Sequence, residues 1–163
     1  MYTNYFSIRE ESKTKFRLQP HVLDILPKNK DARILDIGCG LCKHLSQFKL
    51  MGYNNLKGID ISDEAEAACK SHGIEFEKIQ SIIEYCSNSK LKYDFIVMAH
   101  VLEHLEKEIV IDTLSSIRSL IIEGGAMYIV VPNAQSNTNC YWAYEDFTHH
   151  TLYTSGSLYY VLK

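Results

Sequence analysis

The run Arg33-Ile34-Leu35-Asp36-Ile37-Gly38-Cys39-Gly40 constrains this chain more than any other stretch. Apolar residues leading into Asp-x-Gly-x-Gly describe a buried strand that stops in a tight turn, and the two glycines remove Cβ atoms where backbone must approach a ligand. Asp36 falls at the strand's carboxyl end, the side on which open α/β sheets bind their ligands. At 163 residues, 46% hydrophobic and 23% charged, the chain has the apolar content for one core and hence one domain.

The pattern that follows repeats strand and helix. Residues 41–51 read as a helix with Leu45 and Phe48 on one face and Gly52 as its C′ stop. Residues 56–60 form a second strand closing on Asp60, and Ser62 caps a helix whose acidic first turn suits the helix dipole and which ends near Gly73. Residues 74–79 read as a third strand, 81–86 as a short helix, and 93–98 as a continuously apolar, buried parallel strand. Ile109, Val110, Thr113, Leu114, Ile117 and Ile121 recur at helical spacing, Gly124-Gly125 breaks the pattern, and residues 126–131 give a fifth strand stopped by Pro132. Residues 1–30 form a helical lead-in, with Pro20 at a first helical position and Pro27 as its stop. This alternation predicts an α/β fold, a Rossmann-like doubly wound and mainly parallel sheet.

Apolar stretches are far too short to span a bilayer, and the N-terminus lacks the basic start and apolar segment of a secretory signal. A cytoplasmic protein is expected. The net charge of −3 comes without a nucleic-acid binder's basic footprint, so the expected partner is a small molecule, not nucleic acid or membrane. The five cysteines, an odd number, read as reduced thiols. Cys39 and Cys42 spell C-x-x-C between strand and helix, which leaves a thiol redox protein as a competing reading. A dinucleotide is disfavoured because Lys43 occupies the third glycine position of Gly-x-Gly-x-x-Gly.

Residues 33–40 resemble motif I of the class I S-adenosylmethionine-dependent methyltransferases, and the resemblance, closest to the type 11/12-like members found with surface-glycan biosynthesis, continues along most of the chain. It implies that Asp36, Gly38, Cys39 and Gly40 form the loop at the amino-acid end of S-adenosylmethionine or S-adenosylhomocysteine. Asp60 stands about 20 residues on, where nucleotide folds place a carboxylate for the ribose hydroxyls. Ile61 is expected on the adenine face. Gln80 stands where the family usually carries an acid for the adenine amino group, and its amide oxygen can accept the same bond, with Ser81 beside it. The family ends in two antiparallel strands, for which no sequence remains after residues 132–163, so this reading expects a truncated domain.

Methyl transfer to a hydroxyl requires alignment and a base. The segment beginning Ala99-His100 resembles the one facing the donor's methyl, which makes His100 a candidate base and puts Ala99 in the cofactor site. On a helical turn His100, Glu103 and His104 fall at i, i+3 and i+4 and could converge on a divalent metal, a set related to the Glu-x-x-Glu-His arrangement of methyltransferases acting on quinone precursors or RNA termini. The alternative is that Glu103 and His104 only fix the turn. The segment Asp146-Phe147-Thr148-His149 resembles the Asp-x-Thr-His acceptor segment of glycan and quinone methyltransferases, with His149 as base and Asp146 orienting it, or both merely stapling the loop. Asn139, Tyr141 and Trp142 suit sugar stacking as well as a lid or a homodimer contact. The expected function is O-methylation of a small molecule, with a surface-polysaccharide sugar or its precursor preferred. A quinone or phenolic precursor, or a cofactor-binding domain without turnover, are the alternatives.

Overall fold

In the computed structural model, which describes residues 16–137 and 144–163, the apolar run Arg33–Ile37 is β1 and is buried at all but its first residue. β2 (Asn55–Asp60) and β3 (Glu75–Lys78) lie to one side of it, and β4 (Tyr93–Ala99) and β5 (Ile121–Val130) to the other. The order is β3-β2-β1-β4-β5 and every described pairing is parallel. Chain direction across the sheet therefore reverses between β1 and β4. A crevice opens at such a switch point, beyond the strands' carboxyl ends.

Successive residues of the central strands point to opposite faces, so each strand feeds two cores. Ile34, Phe95 and Val97 pack with Leu45 and Phe48 of α2 (Lys43–Leu50) and with Ala65 and Cys69 of α3 (Asp63–Ser71), beside Val22 of α1 (Pro20–Ile25). Leu35, Ile96 and Met98 pack with Tyr85 and Cys86 of α4 (Ile82–Asn88) and with Val110, Leu114 and Ile117 of α5 (Lys107–Arg118). Burial on both faces is why β1 and β4 carry apolar residues at consecutive positions, Ile34-Leu35 in one and Phe95 to Met98 in the other. The expected caps are present: Pro20 opens α1, and Ser62 Oγ accepts from the Ala65 amide at 3.1 Å.

One boundary is corrected. The helical spacing suggested that Ile121 closes α5, but α5 ends at Arg118 and Ile121 begins β5. Gly124-Gly125 does not break the strand. Pairing jumps from Tyr93↔Ile121 to Phe95↔Ala126, and Gly124 takes φ +75° in the irregularity between them. A Cβ on Gly125 would lie 2.7 Å from Ile121 Cγ2, so the bulge folds too tightly for a larger residue there. After β5, Asn133 bridges to Tyr153 and leads to α6 (Ser155–Val161), which starts in a Thr154/Ser157 capping box. No helix among the described residues is long and apolar enough to cross a membrane.

Candidate cofactor and acceptor site

The carboxyl ends of β1, β2 and β4 bring the expected cofactor residues to one edge of the sheet. Gly38 turns at φ +69° against Val101, and a Cβ there would lie 2.3 Å from Val101 Cγ2. The Gly38 and Cys39 amides donate to Ile59 O at 2.8 and 3.2 Å, laying the loop over the end of β2. Asp60 fixes it from the other side: Oδ2 accepts from the Gly40 amide and Oδ1 from the Ser62 amide, both at 2.9 Å. Each oxygen keeps a second lone pair for a ligand hydroxyl.

Asp36 is buried, and its Oδ2 has no hydrogen-bond donor among the described residues. Burial pushes its pKa well above the usual carboxylate range, and the charges of Cys69 and Asp60 add to that. His44, which the sequence reading passed over, brings Nδ1 to 4.0 Å from this oxygen. Burial holds His44 down to about 4, helped by His100 and Lys43, so the imidazole is uncharged at neutral pH and the contact is no ion pair. An orphaned buried oxygen at the mouth of a glycine cradle fits a cationic amine. Ile61 is 42% exposed, as a face for a flat ring would be. Gln80 is exposed, and Ser81 accepts from the Glu84 amide at 3.4 Å, which is the helix-capping role. Ala99 is half-buried at the end of β4.

The histidines group differently from the helical expectation. His100 sits at φ +57°, Val101 is irregular, and only Leu102–His104 form a 3₁₀ turn, so the i, i+3, i+4 face never forms. His100 is exposed, with Nδ1 3.3 Å from Glu103 Oε1. Among the described residues, the cluster whose ligand atoms lie within 4.8 Å of one another is Glu103, His104 and His149, with His149 in the place expected for His100. Glu103 Oε2 is buried without a hydrogen-bond partner among the described residues, which fits an electropositive group held between the two imidazoles.

The second segment closes on this turn through its backbone. The His150 and Thr151 amides donate to Glu103 O at 2.8 and 3.2 Å. Asp146 Oδ1 accepts from the Thr148 amide at 2.9 Å and from its hydroxyl at 2.7 Å, whereas Asp146 Oδ2 is 3.9 Å from His149 Nε2. Asp146 therefore shapes the turn through Thr148 more directly than it orients His149, which for Asp146 is the loop-stapling alternative. His104 Nδ1 contacts Thr148 Oγ1 at 2.8 Å and the Thr148 carbonyl at 3.3 Å. A carbonyl only accepts, and the hydroxyl proton goes to Asp146, so the network assigns the imidazole proton to Nδ1 and the lone pair to Nε2. Burial lowers the His104 pKa, which keeps it neutral. The His104 and His149 rings meet edge to face, 4.7 Å between centroids. Asn139, Cys140, Tyr141 and Trp142 lie outside the described residues.

A family profile described as a methyltransferase domain matches residues 11–163. The chain belongs to that family. Solved structures agree on the fold of this methyltransferase domain. An S-adenosylmethionine-dependent methyltransferase from Archaeoglobus fulgidus superposes with TM-score 0.74 at 26% identity, over 87% of this chain and 62% of that one. PKMT2 from Rickettsia typhi, in complex with S-adenosylhomocysteine, gives 0.55 at 24% identity over 63% of this chain and 21% of that one. TehB from Haemophilus influenzae gives 0.67 at 19% identity over 97% and 53%. The methyltransferase domain thus spans less than two thirds of each of these proteins. No curated protein shows significant similarity to it.

Proposed function

We propose that this methyltransferase domain uses S-adenosylmethionine to methylate a hydroxyl of a small molecule. The observation that carries the reading is the pair of acids at the switch point, Asp36 with an orphaned buried oxygen and Asp60 bracing the glycine loop. When bound, the cofactor supplies an electrophilic methyl on a sulfonium. Asp36 would hold the amino end, Asp60 the ribose hydroxyls, and Ile61 and Gln80 the adenine, with Gly38, Cys39, Gly40, Ser81 and Ala99 shaping the walls. The Glu103, His104 and His149 cluster offers a place for the acceptor's proton. His104 Nε2 carries the assigned lone pair, and His149 is the motif histidine.

The preferred acceptor is a sugar hydroxyl of a surface-polysaccharide precursor, which rests on the family resemblance. A quinone or phenolic precursor is the second reading, and it is tied to a divalent ion held by Glu103, His104 and His149. Both are tested by incubating the purified chain with methyl-labelled S-adenosylmethionine and matched panels of nucleotide sugars and catechols, with and without chelator. Label in a sugar product, insensitive to chelator, supports the first. A catechol product lost on chelation and restored by a divalent ion supports the second. Label in neither contradicts both.

A further inference from the structure

Three cysteine side chains meet behind the cofactor loop, to which Cys39 itself belongs, and the proposed methyl transfer uses none of their sulfurs. Cys69 Sγ, from α3, lies 2.8 Å from Cys42 Sγ and 3.6 Å from Cys39 Sγ. All three residues are buried, Cys42 and Cys69 completely and Cys39 with 7% exposure. The C-x-x-C pair is thus not a pair: both of its sulfurs turn to a third, nearly thirty positions on. The backbone leaves room for them. A Cβ on Gly58, in the middle of β2, would lie 2.7 Å from Cys39 Sγ and 3.0 Å from Cys69 Sγ, so a larger residue would expel the sulfurs. Cys42 is the N-cap of α2, at φ 61° in the left-handed region. Hydrogen bonding from Cys39 and Cys42 lowers the Cys69 pKa and raises both of theirs, so of the three Cys69 gives up its proton most readily.

We propose that Cys42 and Cys69 are an oxidisable dithiol, a modification site that hydrogen peroxide closes into a disulfide tying the end of the glycine loop to α3. The Cys69 thiolate attacks one peroxide oxygen, the O–O bond breaks, and hydroxide leaves with a proton from the Cys42 thiol as water. The Cys42 thiolate then attacks the resulting sulfenic sulfur, the S–S bond forms, and the sulfenic oxygen leaves as a second water after protonation. The two sulfurs together lose two electrons and the peroxide gains them. Closing from the observed separation to a disulfide length of about 2.05 Å needs only a small shift, so the bond forms within the folded domain. Cys39, the most exposed of the three, marks the side from which so small an oxidant enters.

The cross-link stands on the sulfur geometry alone; that the loop it ties is the cofactor's rests on the function proposed above. The test is to treat the reduced full chain with equimolar peroxide, block remaining thiols with N-ethylmaleimide, and map every cysteine by mass spectrometry. The expected result is a Cys42–Cys69 linked peptide, with Cys86 alkylated, and a melting temperature several degrees higher that dithiothreitol reverses. Cys39→Ser should still form the link, and Cys42→Ser should not. If Cys42→Ser fails to fold, the wild-type map decides by itself. A folded wild-type protein with Cys42 and Cys69 both alkylated, Cys69 over-oxidised beside a free Cys42, or a principal link to Cys39 would overturn the proposal. Reduced protein that forms the link but fails to bind S-adenosylhomocysteine would overturn the cofactor reading and leave the dithiol standing.

Discussion

Asp36 answers two opposed demands. Its raised pKa means that the folded state holds the proton more tightly than the unfolded chain does, so its contribution to stability is fullest below the unfolded carboxylate range and is lost as pH rises through the folded value. The neutral isostere Asp36→Asn should therefore melt higher at neutral pH, by about 2–4 °C per kcal/mol at this size, in a thermal scan. The same change should weaken S-adenosylhomocysteine by roughly the 1.5–3 kcal/mol of a charged hydrogen bond. A cationic amine would draw the proton off Asp36, so affinity should fall as pH drops below the free protein's Asp36 pKa, and calorimetry in buffers of different ionisation enthalpy should show proton release. Affinity independent of pH would separate Asp36 from the amine. Gly38→Ala should cost at least the ~1–2 kcal/mol of a left-handed non-glycine residue, read from denaturant unfolding, because its Cβ also meets Val101.

At the scale of elements, the turn Leu102–His104 and the segment 144–151 act together, since Glu103 O receives two amides from that segment and His104 rests on Thr148. If either imidazole is the base, its alanine variant should lose about 10²–10⁴-fold in turnover while donor affinity stays within twofold. Thr148→Val removes the nearer of the two acceptors that hold His104 Nδ1 and leaves the backbone carbonyl, and it should lower kcat more than it raises KM. Wild-type turnover in both His104→Ala and His149→Ala would leave the cluster without a chemical role. The parallel doubly wound sheet, the placing of both acids toward their strands' carboxyl ends and the glycine turn were legible because motif I and the two-sided burial of β1 and β4 leave direct marks in sequence. The end of α5 was not, because Ile117 and Ile121 keep helical spacing across a real boundary. The metal-type cluster was misread for a related reason: spacing promises one face only on a regular helix, and His100 is in the left-handed region. Thr148, His44 and Cys69 act through contacts between distant segments, which no local pattern encodes.

For the whole molecule, the family assignment and the sheet order agree, while the relatives described above are longer than this chain. The central claim is that the switch-point crevice is a nucleoside site built by Asp60 and the glycine loop. The most direct measurement is calorimetric titration of the reduced chain with S-adenosylhomocysteine, for wild type, Asp60→Asn and Asp60→Ala. Wild type should bind one equivalent. Asp60→Asn keeps one amide oxygen for the loop and should weaken binding less than Asp60→Ala, which removes both acceptors and should lose tenfold or more, on the order of 1.5–3 kcal/mol for one charged hydrogen bond. Wild-type protein that is folded yet does not bind, or an Asp60→Ala variant that binds as tightly as wild type, would contradict the account.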